Sequence, residues 1–156
     1  MNASADLISG REFIIVEINA QRFAIDIMQV REIRGWSAST PLAGAPADVL
    51  GIINLRGSIL AVIDLGARLG LRSCEPNAAS VVIVTEIEGA LVGLLVDAVC
   101  DIHALPEGSL HAAPDVGDAR VAEFVRGVFT TDEGIITVLS LGALAPGPNT
   151  LATLAA

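Results

Sequence analysis

Short runs of apolar and β-branched residues, separated by turn-forming residues, recur along the chain. The first run, Glu12–Ile18, is rich in β-branched side chains, and the sequence Asn-Ala-Gln follows it as a turn. Runs of this length bounded by Gly, Pro, Asn and Asp are typical of strands. Further runs occupy residues 22–27, 28–34, 50–65, 80–87, 91–102 and 134–141.

Two of these runs make more detailed predictions. In residues 28–34, the apolar Met28, Val30 and Ile33 are interrupted by charged residues, which predicts a half-buried strand. Residues 50–65 predict two strands joined by a tight connection at residues 54–58. Helix signals are weak and favour only one or two turns at residues 65–71 and 140–145. The pattern predicts an all-β barrel or sandwich with one or two short helices.

Two pairs of segments within the chain are similar to each other in sequence. Residues 51–67 align without a gap to residues 127–143 at an offset of 76, and residues 17–33 align to residues 86–102 at an offset of 69. The second alignment has fewer identities than the first. The difference of seven between the offsets places a longer surface loop in the second half. Chance similarity among aliphatic strands is the alternative explanation.

The order of these segments predicts two copies of one small β unit. We expect a single domain over residues 12–146, with a first unit at about 12–72, a second at about 79–146, and flexible termini at 1–11 and 147–156. Exchange of strands between the units is left open. The groove between two such units is the expected place for a partner.

Composition raises the question of a membrane span, because hydrophobic residues make up 53% of the chain and the mean hydropathy is +0.65. A spanning helix needs roughly 20 nearly unbroken apolar residues. The most apolar stretch, Ala90–Val96, ends at Asp97. The first ten residues lack the basic start and apolar segment of a signal peptide. We therefore expect a cytoplasmic protein.

Charge and cysteine content exclude further classes. The net charge is −9 and no lysine is present, whereas binding to nucleic acid or to an anionic lipid surface needs a positive surface. Cys74 and Cys100 have no CxxC spacing and no neighbouring histidine cluster, so we expect two ordinary reduced thiols rather than a disulfide or metal site. No cofactor is expected.

Catalytic signatures are poorly represented. The chain has neither a Gly-x-Ser-x-Gly elbow nor a P-loop. His103 and His111 are separated by Pro106 and are expected to be loop or surface residues. Several carboxylates, those of Asp26, Asp64, Asp97 and Asp101, adjoin apolar strand residues, but the sequence alone cannot pair them. An interaction protein is therefore favoured over an enzyme, and exposed apolar surface is expected to mark its partner site.

Four segments together resemble the CheW family. They are FAIDIMQVREIRGW at residues 23–36, APADVLGIINLRGSILAVIDL at 45–65, SVVIVTEI at 80–87 and VGLLVDAVCDI at 92–102. The resemblance runs from about residue 12 to about residue 144. Its most specific parts are VREIRG and NLRG in this order, whereas the chain after residue 102 matches only in pattern.

This resemblance implies two five-stranded SH3-like β-barrels packed side by side. It also implies a non-enzymatic adaptor, without a cofactor, that is recruited to receptor arrays at the inner membrane. One surface would bind the cytoplasmic tip of a chemoreceptor (a methyl-accepting protein), and another would bind the regulatory domain of a histidine kinase.

The resemblance further implies a set of partner-binding residues: Arg56, Glu32, Val30, Asn54, Gly51, Gly93 and Val99. We hypothesise that Arg56 pairs with Glu32 at the groove, beside an apolar strip that binds the receptor. Such a surface pair contributes roughly 0–1 kcal/mol to stability, so its importance would lie in orientation and partner choice.

The repeat separates function from folding at some of these positions. Arg56 aligns with Asp132, so folding tolerates either charge there and a functional role is favoured. Gly51 aligns with Gly127, which indicates a requirement of the backbone in both copies. Val30 aligns with Val99, and core packing explains both valines at least as well as partner contact.

Three residues depart from the family pattern. Ala61 stands where a proline is frequent, Gly66 where an arginine is usual, and Ala98 where a glycine is frequent. We expect the first two beside the partner surface. Two alternatives remain: an accessory scaffold of a non-flagellar chemosensory pathway, and a small-molecule-binding β-barrel, which would need convergent polar side chains around a closed pocket.

Overall fold

The computed structural model describes residues 12–36, 40–41, 43–44, 48–71, 76–104, 110–112, 123–132 and 134–144. The expectations for both termini, for Cys74 and for much of the junction between the units fall outside these ranges. The strands are β1 Glu12–Ile18, β2 Gln21–Asp26, β3 Val30–Gly35, β4 Val49–Leu55, β5 Ser58–Asp64, β6 Val81–Ile87, β7 Ala90–Val96, β8 Ala98–Ala104, β9 Val125–Thr131 and β10 Gly134–Leu139.

Short helical segments complete the described structure. A 3-10 turn covers Ile27–Gln29, and two four-residue helices, α1 and α2, cover Leu65–Arg68 and Leu141–Leu144. Both α-helical segments lie in the stretches predicted to be helical. None of the helices in the described ranges is long and apolar enough to cross a membrane.

Two strand predictions need correction. Residues 28–29 belong to the 3-10 turn, because the Asp26 side chain accepts a hydrogen bond from the Met28 amide at 2.9 Å and so caps the turn. The run 91–102 is two strands rather than one. Its break is at Asp97, whose carboxylate accepts from the Asn19 amide at 2.8 Å. The strand before this break, β7, and the strand after it, β8, belong to different sheets.

The strands form two five-stranded sheets, which confirms the all-β class. Sheet A has the order β8-β1-β2-β10-β9, and sheet B has the order β3-β6-β7-β5-β4. The expected barrels are observed as open sheets, because the outer strands of each order are not joined to one another by a ladder in the described residues.

Each sheet is nevertheless curled. Just after β3, Thr40 forms two backbone hydrogen bonds of 2.9 and 2.8 Å with Ile52 of β4, the opposite edge of sheet B. In sheet A, His111 makes the same kind of bridge to Val128 of β9, with both bonds at 2.8 Å. We call the gap between the two outer strands of each sheet its seam.

Each sheet combines strands from both halves of the chain, and the two sheets have equivalent pairings. In sheet A, Ile14 lies opposite Ile102, and in sheet B, Ile83 lies opposite Ile33, which are the same positions shifted by 69. The parallel pair Ala24 and Val138 in sheet A likewise corresponds to Gly93 and Val62 in sheet B. The two sheets are therefore related by an approximate internal symmetry with exchanged strands.

The hydrophobic core has three parts. The largest is a central core to which both sheets contribute, including Ile14 and Phe23 from sheet A and Ile83 and Leu94 from sheet B. The second part is a satellite core on the other face of sheet A: Phe13, Ile15, Ala24, Phe129, Ile136 and Val138. The third is the satellite core of sheet B: Leu55, Leu60, Val62, Val82, Val84 and Leu95. Strands such as β1 and β6 are consequently buried on both faces, which explains their nearly continuous apolar sequences.

Candidate functional site

The β4–β5 hairpin positions the predicted arginine. Leu55 pairs with Ser58, so Arg56 and Gly57 alone form the loop, with φ angles of 51° and 88°. Positive φ at both central residues is the geometry of a type I′ turn, which favours Asn-Gly because most side chains are strained there. Asn54 supports the turn by accepting a hydrogen bond from the Gly57 amide at 2.9 Å.

The predicted contact between Arg56 and Glu32 is present. Arg56 Nη2 donates to Glu32 Oε2 at 2.7 Å. The Arg56 side chain is 74% exposed, whereas that of Glu32 is 29% exposed. The carboxylate is therefore the more enclosed partner, and the guanidinium faces solvent beside it.

This ion pair spans the seam of sheet B. Glu32 is on β3 and Arg56 follows β4, the two outer strands, which would be roughly 19 Å apart in a flat sheet with about 4.8 Å between neighbours. Its location differs from the groove expected between two units. Glu32 lies opposite Val84, a member of the satellite core, so the pair is on the face of sheet B directed away from the central core.

Further charges surround the pair. Arg34 Nη1 lies 3.9 Å from Glu32 Oε1, and Arg31 forms an ion pair with Glu86 on the neighbouring strand. The hydrogen bond from Arg56, helped by the charges of Arg56 and Arg34, lowers the pKa of Glu32 below its ordinary value of 4.5. Three of the nine basic residues of an acidic chain thus lie on one seam.

Exposed isoleucines lie on the face of sheet B opposite the ion pair, since Ile33 lies opposite Ile83 of the central core, and sequence reasoning did not single them out. Ile59 on β5, which lies opposite Asn54 of β4, is 56% exposed. Ile33 on β3 is 45% exposed. Their repeat equivalents, Ile135 and Ile102, are also exposed, at 64% and 50%. The repeat carries a signal for them, because Ile59 and Ile135 are identical, but an identity between apolar residues does not distinguish an exposed side chain from a buried one.

Four of the other predicted site residues do not lie on this surface. Val30 and Val99 are half-buried and both pack against the central core, from sheets B and A respectively. Gly51 is buried beside an irregularity of the β4–β5 pairing. Gly93 is also buried, and a Cβ atom there would lie 2.9 Å from Val82 Cγ1 and 3.1 Å from Leu60 Cδ1.

Two of the departures from the family pattern are buried as well. Ala61 is 1% exposed, and Gly66 lies buried in α1. Neither residue presents its side-chain position to a partner. Ala98 is half-buried at the start of β8.

Three of the carboxylates considered for chemistry accept hydrogen bonds from backbone amides. Asp26 accepts from Met28, Asp64 accepts from the Ala67 amide at 3.2 Å, and Asp97 accepts from Asn19. Within the described ranges, no group of three or more His, Cys, Asp and Glu residues is placed to hold a metal ion. His103 is exposed on β8, so it is a surface residue, as expected, but lies in a strand.

Comparison with known proteins gives consistent relatives. Residues 12–147 match the family described as the CheW-like domain. The chain is 42% identical over 146 residues to the chemotaxis protein CheW of Rhizobium meliloti strain 1021, covering 93% of this chain and 94% of that protein. It is also 42% identical over 134 residues to a probable chemotaxis protein CheW of Rhizobium etli, covering 86% of each.

A solved structure has the same fold. The crystal structure of the scaffolding protein TtCheW from Thermoanaerobacter tengcongensis superposes with a TM-score of 0.80 at 31% sequence identity. The match covers 89% of this chain and 90% of that one.

Proposed function

The chain belongs to the CheW-like domain family, and on that basis we propose that it is a cytoplasmic, non-enzymatic adaptor of a bacterial chemosensory array. It couples the cytoplasmic tips of chemoreceptors to the regulatory domain of a histidine kinase. We propose further that residues 12–146 act as a single domain in this role.

The Arg56–Glu32 pair is the single observation that carries the site assignment. A strained turn position holds an arginine rather than the asparagine that this turn prefers, and the guanidinium is held at 2.7 Å by a carboxylate from the opposite edge strand. Strain retained at an exposed turn is a reason to infer function. We assign Arg56 to partner contact and Glu32 to orienting it.

The residues around this pair suit recognition of a protein surface. Arg34 and Arg31 supply positive charge on β3. Ile59 and Ile33 supply exposed apolar area on the other face of the same sheet. Interfaces combine an apolar centre with a polar rim, and complementary charge mainly sets partner choice and association rate. A partner with acidic side chains fits the charged face of this seam, and apolar side chains of a partner fit the exposed isoleucines on the other face.

The remaining predicted residues act indirectly in this proposal. Asn54 holds the turn, and Gly93 allows close packing of side chains around β7. Gly51 lies buried at the irregularity of the β4–β5 pairing. Val30 and Val99 anchor β3 and β8 to the central core. Their substitution would affect partner binding through the position of the seam.

Calorimetric titration of the chain against a chemoreceptor cytoplasmic fragment and a kinase regulatory domain tests the proposal. We expect Arg56→Glu to weaken binding to at least one partner about tenfold or more, because it places like charges beside Glu32 and inverts the presented charge. Glu32→Gln, which keeps the arginine but loosens it, should have a smaller effect.

Arg126→Glu provides a matched control, since Arg126 is an exposed arginine on β9 of the other sheet. It should bind as the unmodified chain does. Circular dichroism establishes that each variant folds. If neither partner binds the unmodified chain, the adaptor assignment is contradicted. If folded Arg56→Glu binds both partners normally, only the site assignment is contradicted.

A further inference from the structure

Arg68 contacts the two segments that lead into an outer strand of each sheet. It is the last residue of α1, which directly follows β5, and it is half-buried. Arg68 Nη1 donates to Asp48 Oδ2 at 3.0 Å, and Asp48 precedes β4 of sheet B. The Arg68 guanidinium carbon lies 5.7 Å from the ring centre of Phe124, which precedes β9 of sheet A. This distance is within the range of a cation–π contact.

Asp48 and Phe124 are equivalent positions of the repeat at the offset of 76. The Asp64 amide donates to the Asp48 carbonyl at 2.8 Å. Its equivalent, the Ser140 amide, donates to the Phe124 carbonyl at the same distance of 2.8 Å. These bonds close the bases of two hairpins, β4–β5 in sheet B and β9–β10 in sheet A. A side chain that contacts both members of an equivalent pair lies close to the internal symmetry axis, so the two hairpin bases meet at Arg68.

The residue type at position 68 suits this place between two segments. The guanidinium of an arginine donates hydrogen bonds in its plane and stacks on an aromatic ring with its face. Phe124 is buried in the central core, and the side chain of Asp48 is only 15% exposed. The charges here are therefore screened less than those of an exposed pair. The repeat has Leu144 at the equivalent position, so this cation is a feature of one copy.

We propose that Arg68 is a positioning residue that holds the two sheets in one relative orientation. The central core joins the sheets as well, but its apolar contacts are non-directional, whereas the ion pair has a defined geometry. The orientation matters because β4 extends for seven residues from this base to the turn that carries Arg56. With a rise of about 3.3 Å per residue, a rotation of about 10° at the base moves that turn by about 4 Å.

The consequence of this role for partner binding rests on the proposed adaptor function. An adaptor that holds two partners at once needs its surfaces in one relative orientation, whereas binding of a single partner does not. If the competent orientation falls to about a tenth of the molecules, the apparent affinity for the second partner falls about tenfold. We therefore expect Arg68 to affect joint binding more than the binding of either partner alone.

Residual dipolar couplings of the backbone amides measure the relative orientation of the sheets in the absence of partners. Arg68→Met keeps an unbranched side chain and removes the guanidinium. One alignment tensor should fit both sheets of the unmodified chain, whereas the sheets of Arg68→Met should need different tensors. Arg68→Lys keeps the charge without the planar fork, and its couplings should deviate less.

Val138→Ala is the matched control for lost stability. Val138 lies in the satellite core of sheet A, so the smaller side chain weakens packing within one sheet and leaves the contacts of Arg68 intact. One tensor should still fit both sheets of this variant.

Joint binding is measured by calorimetric titration of the kinase regulatory domain into the chain alone and into its complex with a chemoreceptor cytoplasmic fragment. With Arg68→Met, the affinity for the kinase domain should fall about tenfold in the presence of the receptor fragment and much less in its absence.

The two measurements separate the possible failures. A single tensor that fits both sheets of folded Arg68→Met would overturn the positioning role. Different tensors with unchanged joint binding would overturn its consequence for coupling. If Arg68→Met does not fold, Asp48→Asn, which removes the other charge of the ion pair, is judged by the same couplings. An unmodified chain that binds neither partner contradicts the adaptor function, whereas the couplings still decide the positioning role.

Discussion

Arg56, which we propose contacts a partner, lies at a position where the requirements of folding and of binding differ. Its repeat equivalent is Asp132, so the hairpin forms with either charge, and its φ of 51° disfavours an arginine on conformational grounds. The side chain compensates through its hydrogen bond to Glu32. The Arg56–Glu32 ion pair is therefore found in sheet B alone, because the equivalent positions of sheet A are both aspartates.

The pKa of Glu32 reports on this pair directly. Because the Arg56 hydrogen bond and charge hold the Glu32 pKa below 4.5, the pair stabilises the fold above the unfolded-state pKa, and this contribution is lost as the pH falls through the folded-state pKa. We expect Arg56→Gln to raise the Glu32 pKa towards 4.5, as measured by carboxyl carbon NMR titration. An unchanged Glu32 pKa in the variant would show that the pair does not persist in solution.

Gly93 leaves no room for a side chain beside the satellite core of sheet B. The methyl group of Gly93→Ala would meet Val82 Cγ1 at 2.9 Å and Leu60 Cδ1 at 3.1 Å in a filled core, so we expect destabilisation by about 1–3 kcal/mol in denaturant unfolding. Gly35→Ala is the control, since its Cβ meets nothing within 4 Å, and it should stay within about 0.5 kcal/mol. Equal stability of the two variants would contradict the packing role.

The β4–β5 hairpin carries Arg56, the residue that we propose contacts a partner. A type I′ turn favours asparagine at the position of Arg56, so the turn is less stable than its geometry allows. The element is therefore a compromise between turn preference and presentation of a guanidinium.

Arg56→Asn tests that compromise. Relief of left-handed strain should maintain or raise the free energy of unfolding, by up to about 1 kcal/mol, while partner binding weakens as it does in Arg56→Glu. Thermal unfolding and calorimetric titration measure the two effects separately. A variant that loses stability and binding together would indicate that Arg56 acts through the fold.

Strand positions were predictable where a run ended in a local turn signal. Glu12–Ile18 was predicted with its observed bounds, because a turn sequence follows it. In the structure Asn19 and Ala20 form that turn at positive φ. The break at Asp97 was not predicted, because its cause is a hydrogen bond from Asn19, 78 residues away in sequence. The strand Val125–Thr131 was recognised only through the repeat and not from its own pattern.

The exchange of strands between halves defines the whole molecule. β1 and β2 complete their sheet with β8, β9 and β10, and β6 and β7 complete theirs with β3, β4 and β5. The offsets of 69 and 76 made the equivalence of segments visible in the sequence. They could not reveal which copy each strand pairs with, because both choices satisfy the same local pattern.

This topology predicts how the chain responds to division. Residues 1–75 alone should not fold as a monomer, because β1 and β2 would lack their partner strands. They should be unfolded or should form a homodimer in which two copies exchange strands. The chemical-shift dispersion of the amide NMR signals reports on folding, and light scattering reports on the oligomeric state. Adding residues 76–156 should restore one folded 1:1 complex. A folded monomer of either half would contradict the observed pairing.

Co-sedimentation tests whether this chain couples its two partners. A histidine kinase and chemoreceptor cytoplasmic fragments anchored on vesicles are sedimented with and without the chain. We predict that the kinase sediments with the receptors only when the chain is present, and much less with Arg56→Glu than with Arg126→Glu. Kinase that sediments equally without the chain, or that stays in solution with it, would contradict the adaptor function.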